Sequence, residues 1–319
     1  MNTEHNPDQR DVVIIGGGAA GLSAALTLSR ARRAVTVIDA GQPRNAPAAG
    51  AHGLLGREGI NPFEFLAQGR REIQRYGAEF IEASVHTVEG QDGDFKVTFH
   101  DGERILARQL IIASGARDVL PDIEGLRARW GRDVVHCPYC HGWEIRDKPL
   151  AIIATSETSA YQAVLFQQWS NDITLLSQGI AFDTTARETL AAVGIPVIET
   201  PVSALRISDD QLTGVQLDDG HILPAQAVGI ASGLRANIES LEPLGLDTVT
   251  TPQGVFLDAA DTGETNIAGV WAAGNVIDPD LQLAECASQG SRVAITLNNG
   301  LIFSHAESAR EAATQEKPS

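Results

Sequence analysis

Apolar and polar positions along the chain follow two alternating patterns. Short solid runs, such as residues 11–15 and 34–38, have the length and β-branched content of strands buried on both faces of a parallel sheet. Between them, residues 22–31 place apolar side chains at helical spacing. A loop without periodicity follows at 44–56, rich in Ala, Gly and Pro. A helix is predicted from Asn61-Pro62 to about Tyr76, with Asn61 as its cap. Residues 80–114 alternate as strands, with a hairpin turn at Asp101-Gly102. The middle of the chain repeats the plan: strand 149–154, helix 159–169, strand 172–176, then residues 212–217, a turn at Asp219-Gly220 and residues 228–235. Ile-Ala-Ser-Gly-x-Arg occurs at both 112–117 and 230–235. This echo predicts an α/β chain built of two related, Rossmann-like nucleotide-binding domains. The segments 255–258 and 269–278 and a helix over 281–298 complete the pattern, and the polar tail from Glu307 is expected to fray.

The first of these units carries its chemistry in its turn. Gly16-Gly17-Gly18-Ala19-Ala20-Gly21 joins strand to helix, and the second strand ends in Asp39. Strand, glycine turn, helix, strand and acid form the dinucleotide fingerprint in its full context. Gly16 allows the tight turn, Gly18 the approach of a pyrophosphate, and Gly21 the close packing of helix on strand, while Asp39 is placed to accept from a ribose hydroxyl. In the second unit the same turn reads Ala154-Thr155-Ser156-Glu157-Thr158-Ser159. Side chains replace the glycines there and obstruct close backbone approach. After its second strand, Ser177-Gln178-Gly179 offers neither a base for a 2′-phosphate nor an acid for a ribose. That domain reads as having kept the fold and lost the dinucleotide site.

Cys137-Pro138-Tyr139-Cys140-His141 lies at the head of the second unit. Two cysteines at this spacing can close and reopen a disulfide, carrying two electrons. A helix starting at Pro138 would favour the Cys137 thiolate through its dipole, and His141 would take or give the proton of thiol exchange. The competing reading is half a zinc site. Zinc needs a second ligand pair, His136 and His141 flank too closely, and the third cysteine, Cys286, is isolated in an apolar helix and reads as a core thiol. Trp143 reads as packing behind the redox helix or as core filling, and Gln167-Gln168-Trp169 reads as helix, not as a binding box. Composition narrows the setting. The 319-residue chain carries a net charge of −17, which disfavours nucleic acid and anionic membranes as partners. No run approaches a membrane span, the polar start Met1 to His5 lacks a signal-peptide pattern, and three cysteines form no disulfide framework. A cytoplasmic location is expected.

Together these motifs, with Ala273-Gly274-Asn275-Val276 late in the chain, resemble the low-molecular-weight thioredoxin reductase family over nearly the whole length. The resemblance implies an FAD domain formed by residues 1–118 and 243–319, an inserted domain at 119–242, and a homodimer. It places FAD contacts on Gly16, Gly18, Gly21, Asp39, Gly115, Gly274 and Asn275, where Asn275 stands for the family's usual Asp. Further FAD candidates are Ala19, Ala20, Ala40, Arg44, Val85, Ser114 and Gln282, together with Asn45 and His52, for which a solvated loop position is the alternative. Two departures matter more. The acid after the second cysteine is replaced by His141, and the nicotinamide glycines and basic residues are missing. Cys-Pro-x-Cys-His-Gly with an eroded nicotinamide site resembles the dithiol oxidase branch, the gliotoxin- and holomycin-type enzymes of natural-product biosynthesis. The expected reaction is closure of a disulfide in a small-molecule dithiol, with dioxygen as acceptor and hydrogen peroxide as product. The catalytic residues would be Cys137, Cys140 and His141. The alternatives are an NADPH- or ferredoxin-dependent disulfide reductase and an idle flavoprotein that shields a dithiol.

Overall fold

The computed structural model describes residues 9–315, so the opening stretch Met1 to His5 lies outside the described residues. Two compact units emerge: one contains the chain up to Arg44, Phe63–Arg117 and everything from Leu234 on, the other Asn45–Pro62 and Asp118–Gly233.

The first unit is built around β1 (Gln9–Ile15), whose Val12, Val13 and Ile14 are fully buried. The glycine turn leads into α1 (Ala19–Arg30), which returns the chain to β2 (Val35–Asp39) beside β1. Next come α2 (Pro62–Gln74), β3 (Glu79–Glu82), β4 (Val85–Gln91), β5 (Asp94–Phe99) and β6 (Arg104–Ile112). The sheet order is β3-β2-β1-β6-β5-β4, parallel from β3 to β6 and antiparallel in the β6-β5-β4 meander. The Asp101-Gly102 turn forms as expected, with Gly102 at φ +89° and the Glu103 N–H donating to Asp101.

The chain leaves through β7 (Ala116–Val119). The second unit then holds α3 (Leu126–Arg129), β8 (Val134–Val135), the single-turn α4 (Pro138–His141), β9 (Leu150–Ile153), α5 (Ser159–Phe166), β10 (Ile173–Leu176), α6 (Thr184–Ala192) and β11 (Val197–Ile198). A meander of β12 (Val202–Ser208), β13 (Gln211–Leu217) and β14 (Ile222–Pro224) precedes β15 (Ala227–Ile230). The parallel sheet runs β11-β10-β9-β15-β8, and its β10-β9-β15 core repeats the β2-β1-β6 plan of the first unit. β16 (Gly233–Ala236) brings the chain back and pairs with β7. The first unit is completed by β17 (Thr248–Thr251), β18 (Gly254–Leu257), β19 (Val270–Ala272), which pairs with β6, and α7 (Leu283–Gln315).

Five features depart from the sequence pattern. Helix α5 stops at Phe166, so residues 167–169, expected as helix, form a turn. Residues 234–242 belong with the first unit, because Leu234, Ala236 and Leu241 pack in its core with Phe95 and Phe256. The segment Asn45–Pro62 groups with the second unit. Helix α7 continues well past residue 298, and the tail from Glu307 is helical and exposed instead of frayed, as its Ala, Glu and Arg content favours. Finally, α6 and β12 fall where no element was predicted; the Asp183 carboxylate, which accepts from the Ala186 N–H at 2.7 Å, is the start signal that marks α6.

Candidate active site

Three glycines shape the turn between β1 and α1. Gly16 has φ +108°, and a Cβ there would lie 2.1 Å from the Ala113 carbonyl oxygen. A Cβ on Gly21 would lie 1.9 Å from the Gly16 oxygen, so the helix can sit on the strand only without one. Beside Gly18, by contrast, the space is open. No side chain caps α1 and no acid occupies its first turn, which leaves its partial positive charge for an anion. Asp39 closes the turn, with its carboxylate accepting from the N–H groups of Gly17 and Gly41. Arg70 approaches it at 3.4 Å. Ala19 and Ala20 are buried in the first turn, while Ala40 and Arg44 follow Asp39 in the same unit. Gly115, at φ +67° over open space, follows Ser114, whose hydroxyl donates to the Asn237 carbonyl. Val85 opens β4. At the far end of the chain the Gly274 N–H donates to Gln289 at 2.6 Å, and the Gln282 N–H donates to Glu285 at 2.7 Å. The Asn275 amide nitrogen donates to the carbonyls of Asp278 and Leu281. An aspartate could make neither bond, so the Asn pins the turn ahead of α7 and keeps its own oxygen as an acceptor.

The redox pair lies in the second unit. Cys137 occupies the cap of α4 in extended backbone (φ −107°, ψ 120°), with Pro138 at the first helical position. The two sulfurs lie 2.7 Å apart. Tyr139 sits between them and meets the Trp169 ring edge-on at 5.4 Å. Gly142 lets the turn settle on that indole, since a Cβ there would come within 2.7 Å of it. Trp143 is exposed and stacks on the Arg146 guanidinium at 4.0 Å, so it neither backs the redox turn nor fills the core.

His141 is half-buried, and both its ring nitrogens are buried without a hydrogen-bond partner. Burial pulls its pKa below the ordinary imidazole value, Glu144 opposes that shift and His52 adds to it. A neutral imidazole next to the cysteines can accept a thiol proton. His52 and Asn45 do not join the glycine cradle's unit, because residues 45–62 fold with the second. The Ala51–Ile60 bridge holds His52 where its Nδ1 meets Glu58 at 2.7 Å and its Nε2 lies 3.6 Å from Glu144. That hydrogen bond and the Gly53 N–H hold the Glu58 carboxyl below its usual range. Nothing in the local sequence pairs His52 with Glu144, so only the fold reveals the link. Cys286 is buried, and burial pushes its thiol up to about 11, which leaves it protonated and unreactive.

The second unit's turn is closed by its own hydroxyls. The Ser159 Oγ, fully buried, accepts from the N–H groups of Thr155 at 3.1 Å and Ser156 at 3.4 Å. Thr155 donates to the Ala231 carbonyl at 2.7 Å, and the hydroxyls of Ser156 and Thr158 meet at 2.7 Å. Gln178, just past β10, accepts from the Val202 N–H.

A family model for the pyridine nucleotide-disulphide oxidoreductases matches residues 10–291. The chain belongs to that family. It is similar to the thioredoxin reductase sirT of Leptosphaeria maculans, 32% identical and covering 93% of this chain and 94% of that protein. Among solved structures, HlmI shares 41% identity with a TM-score of 0.91, over 96% of this chain and 97% of that one. An oxidoreductase from Agrobacterium tumefaciens shares 34% identity with a TM-score of 0.87, over 92% and 99% of the two chains. This pyridine nucleotide-disulphide oxidoreductase is therefore a flavin-dependent enzyme, with the thioredoxin reductase-like fold of two Rossmann-like domains, and its cofactor is FAD. The first unit fits the group: the open space at Gly18, the uncapped start of α1 and the oriented Asp39 suit a pyrophosphate and a ribose. Gly21→Ala should drive α1 off Gly16 and lower FAD occupancy about tenfold or more. Visible flavin absorbance measures it, with far-ultraviolet circular dichroism as the check on folding.

Proposed function

We propose that this flavoenzyme oxidises a small-molecule dithiol to its disulfide and hands the electrons to dioxygen. The observation that carries the reading is the second unit's turn, where Ser159 occupies the N–H groups that a dinucleotide phosphate would need, beside an intact cysteine pair. An enzyme reduced by its substrate needs no nicotinamide. In the resting form Cys137 and Cys140 are joined as a disulfide. His141 takes the proton from one substrate thiol, and the resulting thiolate attacks the Cys137 sulfur, releasing Cys140 as a thiolate. The second substrate thiol, deprotonated in turn, displaces Cys137 and closes the product disulfide. FAD, when bound, accepts the two electrons of the reduced pair and gives them with two protons to dioxygen as hydrogen peroxide. The protein's part is to hold the sulfurs and to keep the imidazole neutral.

Similarity to the thioredoxin reductase sirT favours a second reading, a disulfide reductase fed by NADPH or ferredoxin. Anaerobic bleaching of the flavin separates the two. The oxidase reading expects dithiothreitol to bleach it, NADPH to leave it coloured, and air to restore the colour with an equivalent of peroxide. Rapid bleaching by NADPH would establish the reductase instead. The same reading includes a homodimer in the cytoplasm. Supporting the location, the chain has only three cysteines, and no helix among the described residues is long and apolar enough to cross a membrane.

A further inference from the structure

Oxidation of a dithiol asks more of His141 than one imidazole can hold. Two thiol protons leave the substrate, and the ring takes one at a time. Its nitrogens are buried and have no hydrogen-bond partner among the described residues, so a proton taken there needs a neighbouring group to leave by. Burial also disfavours the charged ring, which makes it a poor store.

We propose that Glu144 is the proton outlet of His141, with His52 and Glu58 bracing it as positioning residues. The inference rests on the oxidase reading. Position is the first argument. The His141 carbonyl accepts from the N–H of Glu144 at 3.1 Å and from that of Ile145 at 3.3 Å, so the chain makes a further helical turn after α4. Side chains three apart on such a turn leave on the same face. The charges agree with that placement: burial lowers the His141 pKa, the Glu144 carboxylate opposes the shift and His52 adds to it. Exposure is the second argument. The Glu144 side chain is 40% exposed and can pass a proton to water, whereas the His141 nitrogens are sealed. The brace is the third. His52 is only 23% exposed and faces a carboxylate with each ring nitrogen, Nε2 lying 3.6 Å from Glu144 and Nδ1 2.7 Å from Glu58. Glu58 is fixed in turn by the Gly53 N–H at 3.0 Å, and the loop is closed by the Ala51–Ile60 bridge. All four residues belong to the second unit.

The steps then balance. The first substrate thiolate breaks the Cys137–Cys140 bond and joins Cys137, while its proton passes from His141 to Glu144 and on to water. His141, neutral again, takes the second proton. The second thiolate breaks the substrate–Cys137 bond and closes the product disulfide, leaving both electrons on the cysteine pair.

The test mixes enzyme with dithiothreitol under argon. Stopped flow follows flavin bleaching, and mass spectrometry after acid quenching counts the mixed disulfide of dithiothreitol with Cys137. Glu144→Gln should bleach about tenfold more slowly and accumulate the mixed disulfide, because the second deprotonation waits for the first proton to leave. Glu144→Asp should bring both readings back to near wild type. His52→Gln, which leaves the carboxylate unbraced, should accumulate the same species with a smaller loss of rate. Bleaching of Glu144→Gln at the wild-type rate overturns the proposal, as does a slow variant without the mixed disulfide or a failure of Asp to rescue. If Glu144→Gln does not fold, His52→Gln decides alone: accumulation supports the outlet and its absence ends it. A wild-type enzyme that keeps its colour in dithiothreitol means that the oxidase reading has failed. The quench still reads exchange at the cysteine pair without the flavin, and more mixed disulfide in Glu144→Gln than in wild type supports the outlet there. Equal amounts would end the proposal on that arm too.

Discussion

Cys140→Ser and Cys137→Ser should each cut dithiol-driven flavin reduction by on the order of 10⁴-fold or more, with FAD occupancy unchanged. Electron counting sets the size of the loss. A single sulfur cannot store the pair of electrons that two sulfurs exchange on closing a bond, and serine keeps the shape of the side chain without that chemistry. The two sulfurs lie 2.7 Å apart at the head of a turn that Pro138, Gly142 and Trp169 hold in place, so loss of either should leave the surroundings intact. Stopped-flow bleaching under argon reads the rate, and the visible spectrum before mixing reads occupancy. Bleaching at the wild-type rate in either variant would mean that the dithiol reduces the flavin directly, without the pair.

His141→Ala should slow the same step by roughly 10²–10⁴-fold. It should also remove a feature of the pH profile. Burial disfavours the charged imidazole, so the folded-state pKa of His141 lies below its ordinary value near 6.5. The neutral form is the base, so it prevails at pH 7 and is lost only when the pH falls through that lowered pKa. Wild-type flavin reduction should therefore decline on the acid side with a midpoint below about 6.5, and the variant should lack this limb. If the limb persisted in His141→Ala, the proton acceptor would be another group, and Glu144 or His52 would be the next to replace.

Much of this architecture was readable before any coordinates, because the signals are local. The glycines at 16, 18 and 21 fall within one six-residue turn, Asp39 ends the strand that follows, and the cysteines lie one turn apart. The echo of Ile-Ala-Ser-Gly-x-Arg disclosed the doubled fold for the same reason. What escaped was long-range or unmarked. His52 joins Glu144 across the fold, and Tyr139 meets Trp169 in the turn after α5, relations that no spacing encodes. Residues 234–242 change sides because Leu234 and Leu241 find their core among distant strands. Helix α7 outruns its apolar stripe on propensity alone, where hydrophobic periodicity is silent. Residues 167–169 read as helix from their neighbours, yet α5 stops at Phe166 and they form the turn that sets Trp169 under Gly142.

The hydroxyl of Ser159 bears on how such an enzyme could change its electron donor over time. A dinucleotide phosphate arriving at this turn would have to displace a bond already made to the N–H groups of Thr155 and Ser156, and would meet the side chains of both residues. Restoring glycine at position 154 or 156 would open space but leave those N–H groups satisfied. Removing Ser159 would free the N–H groups but leave the space filled, and water would reach both donors because Thr155 and Ser156 are exposed. Neither single step gains a cofactor, so the path back to nicotinamide needs both changes before either is of use. Under the proposed oxidase chemistry, reliance on the substrate as electron source is in that sense a ratchet, held by Ser159 and the side chains of the turn together.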